Sequence, residues 1–104
     1  MLLEERDYRI RAGFLGDFVD CYMRLGLPIQ RVHLGEPIGF FTSDTGELNH
    51  FVSMWRWQDL GERTARREKM LADPDWSGYL ASIKGLVDTQ TIRFLAPTPF
   101  SPLS

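Results

Sequence analysis

Apolar residues recur along this chain with two different periods. Over residues 2–11 the alternation is that of an extended strand, with Tyr8 and Ile10 on one face and Leu3 on the other. Gly13 interrupts it. Leu15, Phe18, Val19, Tyr22 and Leu25 then fall at the spacing of a single helical stripe, which predicts a helix over 14–25. Gly26 stands where a left-handed cap would end that helix, and Pro28 follows two residues later. Residues 27–34 read as a short extra turn closing at Gly35.

The period of two returns in 38–42 and 48–57. Between these runs Ser43-Asp44-Thr45-Gly46 is turn chemistry, so the two strands are expected to pair as a hairpin. Asp59 reads as the N-cap of the next helix, with Glu62 as the reciprocal partner of a capping box. Asp73 and Pro74 restart the chain as cap and first helical residue, and Trp76, Tyr79, Leu80 and Ile83 form a second stripe. A bent helix pair over 59–84 therefore precedes a last strand at 87–95.

The order is β-α-β-β-α-β, an α+β chain of ferredoxin-like plan. Strands one and three lie in the middle of a four-stranded antiparallel sheet, with the helices on one face. The other face lacks a layer, and the simplest cover is a second copy, so a homodimer is expected. Residues 1–96 form the expected domain. Residues 97–104, with three prolines around Phe100, form an extended C-terminal arm.

At 104 residues there is room for one domain, and 43% apolar with 25% charged residues suits a globular chain. A net charge of −2 argues against nucleic acid as a partner. The densest basic stretch, Arg63, Arg66, Arg67 and Lys69, is interrupted by Glu62 and Glu68 and reads as a solvated helix face. One cysteine, Cys21, allows no internal disulfide. No apolar run approaches membrane-spanning length, and Met1-Leu2-Leu3-Glu4-Glu5-Arg6 lacks the features of a signal peptide, so the expected setting is cytoplasmic.

Several short segments resemble the NIPSNAP family in order and spacing. They are Glu4-Glu5-Arg6-Asp7-Tyr8, similar to a Glu-Leu-Arg-x-Tyr opening, then Gly26-Leu27-Pro28-Ile29, His33-Leu34-Gly35 and Gly39-Phe40-Phe41-Thr42-Ser43. Leu48-Asn49 with Trp55-x-Trp57, Arg63, Arg67, Asp73-Pro74-x-Trp76 and Pro97-x-Pro99-Phe100-Ser101-Pro102 continue the match. The resemblance implies a dimeric α+β barrel, in which two sheets face each other. It also implies a cleft between sheet and helices where distant relatives hold small organic molecules or haem, some of them as cofactor-independent monooxygenases. Ser53 departs from the pattern, since many members carry a histidine two residues before the strand tryptophan.

The first strand carries Glu4, Arg6 and Tyr8 on one face and Glu5, Asp7 and Arg9 on the other. Charges on a central strand either reach water near its ends or line a polar pocket. On the third strand Asn49, Phe51, Ser53, Trp55 and Trp57 share a face, which would suit a ligand with one polar group and a flat apolar body, or is simply core. Candidate ligand-binding residues are thus Arg6, Tyr8, Asn49, Ser53 and Trp55, with Arg24 or His33 at the mouth. His33 and His50 have no metal-ligand spacing, so no metal is expected, and haem is disfavoured because His33 would be its sole axial ligand. No cofactor is indicated. Two functions compete: a small-ligand binding domain, whose activity if any would be monooxygenase-like or isomerase-like, and a non-catalytic interaction module anchored by Phe100.

Overall fold

Residues 1–103 are described by a computed structural model. Strands β1 (Leu2–Ile10), β2 (Gly39–Thr42), β3 (His50–Trp57) and β4 (Val87–Leu95) form one antiparallel sheet in the order β2-β3-β1-β4. The central pair is in register with Glu4 opposite Trp55, Arg6 opposite Ser53 and Tyr8 opposite Phe51. That register puts the even residues of β1 and the odd residues of β3 on the same side, toward the helices. Ile10, Phe51, Trp55 and Trp57 are buried there.

Phe18 of helix α1 (Leu15–Cys21) and Tyr22, the residue after it, press onto Phe51, with ring centroids 5.5 and 5.2 Å away. The expected break at Gly26 does not occur. The chain widens into a π-helical turn over Tyr22–Gly26, in which the Leu27 N–H reaches the Tyr22 carbonyl, and then runs on as helix α2 (Leu27–Leu34). The wider turn absorbs Pro28, which has no N–H and whose ring would crowd the carbonyl four residues earlier. Gly26 has φ −83°, an ordinary helical value. Its missing side chain is needed for space instead, because a Cβ there would lie 2.7 Å from Cζ of Tyr79. The left-handed cap is Gly35, with φ 84°.

Helix α3 (Leu60–Leu71) starts at Asp59, whose side chain accepts the Glu62 N–H at 2.8 Å. Glu62 answers by accepting the Gln58 N–H at 3.0 Å, one residue earlier than a capping box would have it. Helix α4 (Pro74–Ser82) is capped by Asp73, which accepts the Asp75 N–H at 2.9 Å. From this pair Met70, Trp76, Tyr79 and Ile83 complete the core.

All four helices lie on one side, and the chain is a slab with principal extents of 41 × 36 × 19 Å. Its radius of gyration, 14.4 Å, exceeds the roughly 13 Å of a rounder domain of this length. The open face carries Glu5, Asp7 and Arg9 of β1, His50, Val52, Met54 and Arg56 of β3, and Phe41 of β2. Strand β4 is joined to the body through its ladder with β1, and none of the helices packs extensively on it. Beyond it the chain leaves the sheet; Phe100 is 88% exposed and occupies no pocket of its own chain. Ser104, the last residue of the expected arm, lies outside the described residues. Among those residues no helix is long and apolar enough to cross a membrane.

Candidate functional site

The polar residues of β1 gather on the helix side of the sheet. Glu4 is 1% exposed and Arg6 is 9% exposed. The Glu4 carboxylate accepts from Arg6 Nη1 at 2.7 Å, from Arg63 Nε and Nη2 at 2.7 and 3.1 Å, and from Trp57 Nε1 at 3.0 Å. Burial alone would raise its pKa, but the hydrogen bonds and charges of Arg63 and Arg6 prevail and hold it below the usual carboxylate value. Arg6 also donates to the Tyr8 hydroxyl through Nε at 3.0 Å and Nη2 at 2.8 Å. Glu4 and Arg6 are thus paired and closed off from water, while Tyr8 is partly exposed.

Arg63 and Arg67 of α3 correct the reading of that helix as a solvated basic face. They are one turn apart on one helix face, and Arg63 turns to the sheet, where it pairs with Glu4 and lies 5.0 Å over the Phe94 ring. Arg67 is half-buried beside them, and burial first, then the charges of Arg6 and Arg63, pull its pKa below the usual value. The register of β4 sets Ile92 beside Arg6 and Phe94 beside Glu4 on this same side. With little helix above them, both remain 40% exposed. A signal for this cluster was present: Arg63 and Arg67 share one helix face, and Glu4 and Arg6 on a central strand require partners.

Four of the seven expected ligand-binding residues share this side of the central strands: Arg6, Tyr8, Ser53 and Trp55. Ser53 and Trp55 are buried, and the Trp55 indole N–H donates to the Ser53 hydroxyl at 3.2 Å. Asn49 is not on β3. Its φ of 67° breaks the pleat before the strand begins, so alternation does not carry it onto the face of Phe51, and its carbonyl accepts the Ile10 N–H at 2.7 Å. Arg24 lies on the outer surface, paired with Asp20 at 3.0 Å. His33 is bound to Asp73 at 2.8 Å, tying α2 to the cap of α4. Neither is bonded to the Glu4–Arg6 cluster; each is paired with a carboxylate elsewhere.

On the open face, His50 stands between two acids. Nδ1 is 2.6 Å from Asp7, while Nε2 faces Glu47 at 3.2 Å, off the line of a good hydrogen bond. The hydrogen bond to Asp7, with the Glu47 carboxylate close by, raises its pKa above 6.5. A shallow pocket of about 360 Å³ opens beside it, bounded by Phe41, Ser43 and Val52. Tyr22 and Tyr79 belong to the core, where burial raises both phenols, so neither serves as a base near neutrality.

The NIPSNAP family model matches residues 3–102. The chain belongs to the NIPSNAP family. The NipSnap protein of Drosophila melanogaster is 30% identical over 101 residues, covering 97% of this chain but 36% of its own length. The NipSnap homologue of Dictyostelium discoideum is 28% identical over 98 residues, covering 90% of this chain and 41% of its own. This NIPSNAP domain therefore spans well under half of those relatives. A NIPSNAP family protein of unknown function from Agrobacterium tumefaciens has the same fold, with TM-score 0.94 and 35% identity over 100% of this chain and 94% of that one. A NIPSNAP domain protein from Burkholderia xenovorans gives TM-score 0.92 and 37% identity over 98% of this chain and 99% of that one. An antibiotic biosynthesis monooxygenase shares the architecture at TM-score 0.64 and 16% identity, over 95% of this chain and 100% of that one, a likeness of fold alone.

Proposed function

We infer that this NIPSNAP domain binds a small organic molecule on the helix side of its sheet, and that it works as a homodimer. One observation carries the first part. The guanidinium groups of Arg6 and Arg63, the first bonded to the Tyr8 hydroxyl, adjoin the half-exposed apolar pair Ile92 and Phe94, which the helices leave largely uncovered. Polar groups held in fixed positions beside an unburied apolar surface are how a protein orients a ligand with a polar end and a flat body. Arg24, His33 and Asn49 take no part in this reading.

The dimer rests on shape. A 19 Å slab has one sheet face under helices and one bearing Val52, Met54 and Phe41 with no layer above it. A second copy placed face to face would bury that surface, as in a dimeric α+β barrel. A cytoplasmic setting fits a chain with one unpaired cysteine. No reaction is assigned.

Native mass spectrometry of protein purified without added ligand tests both parts. The expected result is a mass of two chains plus a small adduct that is lost when Arg6 or Arg63 is replaced. A single bare chain at micromolar concentration would remove the reading.

The alternative is an interaction module. Phe100 is nearly fully exposed between Pro99 and Pro102, a poor place for a large aromatic unless another chain receives it. Removal of residues 96–104 would loosen assembly under this alternative and leave small-molecule binding intact.

A further inference from the structure

The guanidinium groups of Arg6 and Arg63 meet one carboxylate, that of Glu4, and half-buried Arg67, one helical turn beyond Arg63, adds a third cation, so this region holds two positive charges in excess. Glu4 has no capacity left. A carboxylate offers about four lone-pair positions, and Glu4 already accepts from Arg6, Trp57 and two atoms of Arg63, Nε and Nη2. Arg67 therefore finds no partner there, and among residues 1–103 no carboxylate lies within ion-pair distance of it. Its neighbour Arg66 differs: it turns outward to Glu62, 3.4 Å away.

Tyr8 repeats the pattern on the strand side. Its oxygen accepts two hydrogen bonds from Arg6, so its own hydrogen must point elsewhere, and no acceptor among the described residues takes it. The site thus offers donors without acceptors. A neutral ligand would satisfy one of them, whereas the excess charge calls for an anion. Beside these donors stand Ile92 and Phe94, which would receive an apolar body.

We propose that the ligand of this site is an organic oxyanion, its charged oxygens paired with the Arg67 guanidinium and the Tyr8 hydroxyl, and its apolar body lying along Ile92 and Phe94 of β4. The assignment rests on the binding reading above and specifies the chemistry of that same site. Glu4 and Arg63 act as supports: they fix Arg6, and through it Tyr8, without contacting the ligand. A carboxylate and a phosphate monoester share the recognised chemistry.

Titration calorimetry with benzoate, phenyl phosphate and benzamide tests this, on the wild type and on Arg67→Gln, Arg67→Lys and Arg66→Gln. Benzoate or phenyl phosphate should bind saturably and at least tenfold more tightly than benzamide, the ratio between the two anions identifying the head group. Arg67→Gln should erase that preference, Arg67→Lys should keep part of it, and Arg66→Gln, with the same loss of net charge, should keep all of it. Arg67→Gln should unfold at or above the wild-type temperature, because it removes a crowded cation. Equal binding of benzamide and benzoate, unaltered by Arg67→Gln, overturns the oxyanion and leaves the small-molecule site standing. Binding of none of the three probes overturns both. Equal loss in Arg66→Gln and Arg67→Gln shows a diffuse surface field and also overturns the proposal.

Discussion

Replacement of Glu4 by Gln removes one charge from the most heavily bonded carboxylate among the described residues and leaves its shape. Glu4 accepts four hydrogen bonds and is 1% exposed, so water cannot take over its role. Without the charge, Arg6, itself 9% exposed, loses its ion-pair partner and faces two other guanidiniums. Breaking a buried pair by removing one member costs about 3–5 kcal/mol. For a domain near 100 residues each kcal/mol lowers the melting temperature by roughly 4 °C or more, so the low end corresponds to a fall of about 12 °C. Calorimetric melting at pH 7 is the assay. The loss should shrink in an Arg63→Leu background, because the two residues share one network. The pH dependence has a definite sign. The folded-state pKa of Glu4 lies below its ordinary 4.5, so its contribution is present above that value and is lost as pH falls through the folded one. The gap between wild type and variant should therefore close in acid. A loss under about 1 kcal/mol at pH 7, the worth of an exposed pair, would refute the account of this cluster.

Gly26→Ala should destabilise despite the better helix propensity of alanine, which is worth about 1 kcal/mol. Its Cβ would meet the buried Tyr79 ring at 2.7–2.9 Å, and the overpacking should leave a net loss of about 1–2 kcal/mol in urea titrations. Gly78→Ala in α4, where a Cβ meets nothing within 4 Å, should instead gain about 0.5–1 kcal/mol. His50 carries a pKa raised by its hydrogen bond to Asp7 and by the nearby Glu47 carboxylate, so its stabilisation is complete below pH 6.5 and fades as pH rises through the folded value. His50→Gln should flatten that decline, which is worth at most about 1 kcal/mol at a partly exposed site; an unchanged slope between pH 6.5 and 8 would count against the pairing.

The alternation of β1 and β3 and the stripe from Phe18 to Tyr22 made the order of elements legible in the sequence, and Asp59 and Asp73 marked two helix starts through cap chemistry. Gly26 was not legible. A glycine needed for a positive φ and one needed for a close ring contact look alike until the ring, 53 residues away in sequence at Tyr79, is placed. The cluster around Glu4 was half legible: β1 announced Glu4, Arg6 and Tyr8, but the charged surface of α3 hid which arginines turn inward. Long side chains carry their charge several ångströms from the backbone, so helical period alone does not say where it lands. Asn49 misled for a local reason, since one residue in the left-handed region resets the alternation on which face assignments depend.

Strand β4 is an edge, anchored along one side only, while the charged floor beside it is locked between two neighbouring strands and α3. The two walls of the proposed site thus differ in stiffness. A receptor built this way discriminates strictly by charge and leniently by girth, because the apolar wall can yield where the guanidiniums cannot. Such a domain would accept a series of anions that vary in bulk, and selection among them would fall to whatever else in the cell determines which of them reaches it.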